Sequence, residues 1–176
     1  MADRGPPPAP LLTAAEIADR VEALAVRLAP RLDPDALAVT LLMGGLWFAA
    51  DLTRALSRLG VALENDGLWL TSYGEGRTSQ GHCDIRALPR GKVRGRQVLL
   101  IDDVAETGLS LAEARRLMIA AGAREVLTAV FARKPHLAPA IVPDEFAFAA
   151  PDRFLVGYGM DLAGCFRDLS YLGALD

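Results

Sequence analysis

Val98-Leu-Leu-Ile-Asp-Asp-Val-Ala-Glu-Thr-Gly-Leu-Ser110 decides the fold. Its first four residues are apolar without a break, the pattern of a strand covered on both faces. Two adjacent acids, Asp102 and Asp103, follow directly, and Glu106 precedes Thr107-Gly108-Leu109-Ser110. Over residues 109–121, Leu111, Ala114, Leu117 and Met118 recur at helical spacing, and Gly122 ends the helix. A second buried-type strand follows over 125–131. Strand, helix, strand in this order implies parallel strands with a right-handed crossover, hence an open α/β sheet.

Upstream the pattern repeats. Residues 36–42 read as a buried strand broken by Gly44-Gly45, 46–59 as a helix ended by Gly60, and 67–72 as another strand. Earlier still, Thr13-Ala-Ala-Glu16 fits a capping box, and Ile17, Val21, Leu24 and Leu28 form one helical face that Pro30 and Pro34 close near Leu32. Residues 1–10 hold four prolines and read as a loose tail, neither a secretory leader nor an anchor. Residues 73–83 are polar, with Gly74, Gly76 and Gly81, and read as a long mobile loop of the kind that closes over ligands. Downstream, 135–176 carries Pro135, Pro139, Pro143 and Pro151 and a strand-like piece over 154–158, a small cap beside the sheet. The organisation expected is one domain over 11–176, its core about 33–134, with the cap mainly 135–176 plus part of the N-terminus.

Composition narrows the function classes. The 176 residues suit one domain, and 52% hydrophobic with 23% charged residues is ordinary globular composition. Acids exceed bases, leaving a net charge of −3, so a nucleic-acid partner is not expected. The Arg-rich stretch with Arg86, Arg90, Lys92, Arg94 and Arg96 reads as a solvated loop before the main strand. Lys92 and Lys134 are the only lysines, so a role that needs one has two candidates. Cys83 and Cys165 form neither metal spacing nor a disulfide framework, which fits a reducing, cytoplasmic setting. No run of about eighteen apolar residues exists, so no membrane association is expected.

In an open α/β sheet, ligands sit beyond the carboxyl ends of the strands. Three loops lie there: 43–45, 73 onward, and 102–110. The third ends at a helix N-terminus, whose free N–H groups and positive partial charge bind phosphate. Thr107 and Ser110 add hydroxyl donors, and Gly108 admits close backbone approach. Asp102 and Asp103 would repel a bare phosphate but suit sugar hydroxyls and a cation. An Asp-Asp pair alone reads equally well as a helix-capping turn. The full string, with its acids on one side and its phosphate turn on the other, points to a sugar phosphate.

That string resembles the phosphoribosyl-pyrophosphate (PRPP) signature of type I phosphoribosyltransferases. Leu42-Met-Gly-Gly-Leu-Trp-Phe-Ala-Ala-Asp-Leu52 is similar to the first loop and helix of the hypoxanthine(-guanine) phosphoribosyltransferases. Thr71-Ser-Tyr-Gly-Glu-Gly-Arg-Thr-Ser-Gln-Gly81 resembles their mobile loop, and Pro151-Asp-Arg-Phe-Leu-Val-Gly-Tyr-Gly-Met-Asp161 with Phe166-Arg-Asp-Leu169 their C-terminal hood. The resemblance runs in order from about Leu11 to Leu175.

It implies an open, mostly parallel, twisted sheet flanked by helices, with a small hood built from both chain ends. It also implies purine salvage: a 6-oxopurine (hypoxanthine or guanine) and PRPP give the nucleoside 5′-monophosphate and pyrophosphate, with magnesium (Mg²⁺). By the same resemblance, the 5′-phosphate sits in the turn Glu106, Thr107, Gly108, Leu109, Ser110. Asp102 and Asp103 hold the ribose hydroxyls directly or through Mg²⁺. Glu106 takes the purine N7 proton, and Lys134 contacts the 6-oxo group. Phe154 stacks on the base, which the Leu155 carbonyl meets near its 2-position. Asp161 binds a Mg²⁺ of the pyrophosphate, Arg167 the pyrophosphate itself, and Gly44 and Gly45 offer it backbone N–H groups. Ser72 and Tyr73 close over the reacting centre. A homodimer or homotetramer is implied too.

Each role has a plainer alternative: Phe154 as core, Lys134 as solvated surface, Asp161 and Arg167 as an ion pair, Gly44-Gly45 as a turn. Two positions depart from the commonest family pattern. Glu106 stands where Asp is usual, and Met43 where a basic residue often precedes the glycine pair. They keep a second reading open, a weakly catalytic or non-catalytic PRPP- or nucleotide-binding regulator of the same fold; a third reading keeps the chemistry but makes the base xanthine.

Overall fold

The computed structural model describes residues 6–72, 83–89 and 93–175. In chain order the elements are β1 (Pro10–Leu12), α1 (Ala14–Leu28), a 3₁₀ turn (Ala29–Arg31), β2 (Leu37–Leu42), α2 (Leu46–Arg58), β3 (Glu64–Ser72) and β4 (Cys83–Ala87). Then come β5 (Gln97–Ala105), α3 (Leu109–Ala120), β6 (Glu125–Arg133), β7 (Glu145–Ala149), β8 (Phe154–Val156) and β9 (Leu172–Leu175). The main sheet has the order β4-β3-β2-β5-β6-β7. All its neighbours run parallel except β3 and β4. A second, antiparallel sheet of order β1-β9-β8 joins the two chain ends into a hood.

The sheet is covered on both faces, which is why β2, β5 and β6 are apolar nearly throughout. On one face α1 and α2 pack with Leu24, Leu28, Phe48, Leu52 and Leu56 against Leu99, Ile101 and Phe131. On the other, α3 presents Leu111, Ala114 and Met118 to Val98, Leu100 and Val130. Each large side chain buried in this way contributes roughly 1.5–3 kcal/mol. The Thr13 capping box forms as its sequence requires: the Thr13 hydroxyl accepts from Glu16 N, and the Glu16 carboxylate accepts from Thr13 N. At its other end α1 is tied to β7, where Glu145 accepts from Arg27 and Arg31, each at 2.9 Å.

Four sequence expectations are corrected. The tail is shorter than residues 1–10, because Tyr171 donates to the Pro8 carbonyl at 3.0 Å and Pro10 pairs with Gly173. The Arg-rich stretch is not all solvated loop: Cys83–Ala87 is an edge strand, Arg86 lies 5.7 Å over the Trp69 ring, and Arg96 donates to Glu64 at 2.6 Å. The cap is not wholly separate from the sheet, since β7 falls inside it and extends the main sheet beside β6. Finally, Asp102 and Asp103 lie within a strand, not in a turn after it. β6 continues to Arg133 and offers β5 a parallel partner as far as Ala105.

Candidate active site

The carboxyl ends of β2 and β5, the N-terminus of α3 and the hood enclose a polar cavity of about 360 Å³. Met43, Gly44, Asp102, Asp103, the whole turn from Glu106 to Ser110, Asp161 and Arg167 line it. The long strand thus carries two acids near its carboxyl end, and the turn after Ala105 leads into a helix.

Burial pushes the Asp102 carboxyl well above the usual carboxylate range, and the neighbouring Asp103 charge adds to the rise. Asp103 is also raised by burial, against lowering by hydrogen bonds from Asp102 and backbone and by the Arg167 charge. The pair is held in place by backbone donors. Asp103 N donates to Asp102 Oδ1 at 3.0 Å, and Val104 N donates to Asp103 Oδ1 at 2.8 Å. Two carboxylates so close are poorly compensated, and a cation or hydroxyl donors would relieve them.

At the turn, Gly108 takes a left-handed conformation (φ 73°), which a side chain would strain, and its Cβ would lie 2.7 Å from the Ile141 carbonyl. The N-cap Gly108 has no side chain to cap α3, and apart from a long 3.4 Å bond from Leu109 N to the Thr107 hydroxyl its first N–H groups remain available to an anion. Ala140 N donates to the Thr107 carbonyl at 2.8 Å and fixes the turn from outside.

The wall opposite is the 43–45 turn. A Cβ on Gly44 would lie 1.9 Å from Asp103 Oδ2, so glycine there is a packing requirement of the acid pair. Gly45 N already donates to the Leu41 carbonyl at 3.1 Å. Of the two glycines expected to offer N–H groups, Gly45 therefore has its donor engaged. Asp161 and Arg167 meet: Arg167 donates to Asp161 Oδ1 at 2.6 Å, and Gly164 N to Asp161 Oδ2 at 2.6 Å. The plainer reading of that pair is realised, with both side chains still at the cavity wall. Among the described residues, no three His, Cys, Asp or Glu side chains converge as a closed metal site. Asp102 with Asp103, and Asp161 by itself, stand as separate groups.

A larger, mostly apolar cavity of about 560 Å³ adjoins, lined by Lys134, Pro135, His136, Leu137, Pro139, Ile141, Val142 and Asp152. Ala105 and Glu106 line both cavities. Between them lies the contact that joins the separated segments. Lys134 Nζ donates to Glu106 Oε2 at 2.9 Å, with the Lys134 side chain 8% exposed. Lys134 is thus a buried, paired cation and not solvated surface. Its backbone is set by a bond from Lys134 N to the Ala105 carbonyl at 2.9 Å. Phe154 stands with its ring centroid 6.0 Å from Lys134 Nζ and is 47% exposed, a flat apolar face at the rim and not part of the core. Leu155 points its side chain into the core. Ser72 ends β3, where its backbone pairs with Cys83, and Tyr73 lies outside the described residues.

Two features escaped the sequence. Residues 135–143 form a wall of the larger cavity, and the proline spacing there gave no hint of it. Tyr158 donates to Asp51 Oδ2 at 2.8 Å across the domain, and no sequence signal links these two residues.

The phosphoribosyl transferase domain family matches the chain over residues 11–161. A hypoxanthine-guanine phosphoribosyltransferase of Mycobacterium tuberculosis is 33% identical over 174 residues, covering 94% of this chain and 85% of that one. A hypoxanthine phosphoribosyltransferase of Escherichia coli is 31% identical over 167 residues, covering 93% and 92%. The solved hypoxanthine phosphoribosyltransferase of Trypanosoma cruzi, in complex with its product IMP, superposes with a TM-score of 0.86 at 27% identity, covering 95% and 93%.

Proposed function

The chain belongs to the phosphoribosyl transferase family, and on that premise we infer that it joins a 6-oxopurine to PRPP, releasing the nucleoside 5′-monophosphate and pyrophosphate. Hypoxanthine is the base we assign, with inosine 5′-monophosphate as product; guanine is the second candidate. The Glu106–Lys134 pair carries this reading, because it stands where the polar and apolar cavities meet.

Placement supports the roles that the family resemblance implies. The free N-terminus of α3, with Thr107 and Ser110, holds the 5′-phosphate. Asp102 and Asp103 hold the ribose hydroxyls. Bond formation at the sugar C1′ passes through an oxocarbenium-like state, so the protein must align base and sugar and exclude water. A 6-oxopurine presents an oxygen and an N7–H on adjacent positions. Lys134 donates to the oxygen and stabilises charge developing there, while Glu106 turns from Lys134 to accept the N7 proton. Phe154 supplies a stacking face, and the Leu155 carbonyl meets the other edge of the base. Arg167 and the Gly44 backbone face the pyrophosphate.

The poorly compensated Asp102–Asp103 pair fits Mg²⁺, and Asp161 offers a third carboxylate once Arg167 turns to substrate. When bound, the metal neutralises phosphate charge on the leaving pyrophosphate. Among the described residues no helix is long and apolar enough to cross a membrane. By family likeness we assign the reaction to the cytoplasm. We assign a homodimer or homotetramer by family likeness. A PRPP- or nucleotide-binding regulator without turnover is not favoured, since the relatives that the chain resembles along nearly its whole length are named as phosphoribosyltransferases.

The test is PRPP-dependent conversion of hypoxanthine, guanine, xanthine and adenine in the presence of Mg²⁺. Hypoxanthine or guanine should be converted with release of pyrophosphate, and adenine should not. Preference for xanthine would reassign the base, and PRPP binding without any turnover would reassign the protein as a regulator.

A further inference from the structure

Tyr158 is 5% exposed and takes no part in the roles above. Its φ is 50°, a left-handed conformation that is costly for a residue with a bulky side chain. Gly157 and Gly159, on either side, have φ of 91° and 98°. Such a run of left-handed backbone persists only where surrounding contacts impose it.

The contacts are specific. The Tyr158 ring packs edge-on against Phe131 at 4.9 Å, and Phe131 packs edge-on against Phe48 of α2 at 5.7 Å. The hydroxyl reaches past this stack to Asp51, one turn further along α2. Asp51 uses its other oxygen for Arg54, at 3.3 Å. The next residue, Gly159, is pressed against the 43–45 turn, where a Cβ would lie 2.2 Å from the Gly44 carbonyl. The Gly159 carbonyl accepts from Arg167 Nη1 at 2.5 Å, and Gly159 N donates to the Arg167 carbonyl at 3.0 Å. Two residues on is Asp161. One tight turn therefore touches the glycine that packs on Asp103 and the arginine facing the pyrophosphate, and carries the Asp161 carboxylate. Beside apolar packing in the core cluster that includes Phe48 and Leu52, its hydrogen bond to α2, the helix that starts at that same glycine turn, is the one from Tyr158 to Asp51.

We propose that Tyr158 and Asp51 are positioning residues: their hydrogen bond clamps the 157–161 turn of the hood onto α2 and sets the spacing between the Gly44 wall and Asp161–Arg167. This rests on the reading of that cavity as the PRPP site. The clamp holds the turn that places Gly159, Asp161 and Arg167 at the pyrophosphate end, whereas Phe154 and Leu155 are fixed by their pairing with Leu175 and Ala174 of β9. Its loss should therefore weaken PRPP and leave the purine untouched.

The test uses three variants. Tyr158→Phe keeps the ring stack and removes only the hydroxyl, Asp51→Ala removes the acceptor, and Asp51→Asn keeps an acceptor oxygen. PRPP affinity is measured by titration with Mg²⁺ and no base, beside steady-state KM values for PRPP and hypoxanthine. Tyr158→Phe and Asp51→Ala should each weaken PRPP about three- to tenfold, in line with one hydrogen bond. The hypoxanthine KM should stay within about twofold and Tm within about 3 °C. Asp51→Asn should restore PRPP affinity to within about twofold of the unmodified chain. Unchanged PRPP affinity in both loss variants would overturn the proposal. So would equal rises in both KM values with a matching fall in Tm, the signature of a merely structural bond. Because the titration contains no base, it reads the clamp even if the unmodified chain converts no purine, so the two failures are distinguishable.

Discussion

The two ends of the site are built in opposite ways. The polar end comes mostly from one continuous stretch, and it holds an unresolved conflict: two half-buried carboxyl groups raised by desolvation and, at Asp102, by its neighbour's charge. The apolar end is assembled from three separate segments, and there Lys134 and Glu106 already satisfy each other. The polar end is thus completed by what it binds. The base end is formed beforehand and has to be opened by its ligand. Stability and affinity should therefore respond oppositely at the first end and move together at the second.

The largest effect should come from Asp102→Asn with Asp103→Asn. Hydrogen bonds to charged groups are worth about 1.5–3 kcal/mol each, so PRPP affinity should fall about a hundredfold or more by titration. Retained affinity would break the comparison at once. Lys134→Met comes next. It removes the donor to the 6-oxo group and should raise the hypoxanthine KM about tenfold, blunting discrimination against adenine, with PRPP affinity little changed. It should also destabilise the protein, because Glu106 loses its partner. The smallest effect sharpens the contrast: without Mg²⁺, the Asp102→Asn/Asp103→Asn variant should melt about 2–4 °C higher than the unmodified chain, by relief of the carboxyl conflict. Asparagine keeps the oxygens that accept from Asp103 N and Val104 N. A lower Tm would show that the carboxyls are well accommodated without a ligand.

The same division explains what the sequence disclosed. Strand β5, the Gly108 turn and helix α3 are local, set by apolar runs, a glycine and helical spacing, and so was most of the PRPP end. The capping box at Thr13 was legible for the same reason. The extension of β5 through Asp102 and Asp103 was not, because it depends on β6 continuing beside it. Strand β7, Glu145–Ala149, is five residues with a half-buried pattern, too weak to stand out among prolines until β6 is there to pair with it. Placement of Lys134 against Glu106 rested on family resemblance alone, since nothing in the residues says that the exits of β5 and β6 face each other. Tyr158 and Asp51 had no local signal whatever. Their meeting depends on how the hood folds back onto α2, which is tertiary information.

Glu106 belongs to both ends, so it tests most directly whether they are separate. Glu106→Gln keeps the size and the hydrogen-bonding oxygen but removes the base. Turnover with hypoxanthine should fall about 10–10³-fold, while PRPP affinity by titration stays within about twofold. Unaltered turnover would show that Glu106 is not the base, and a parallel loss of PRPP affinity would show that the site is one unit and not two.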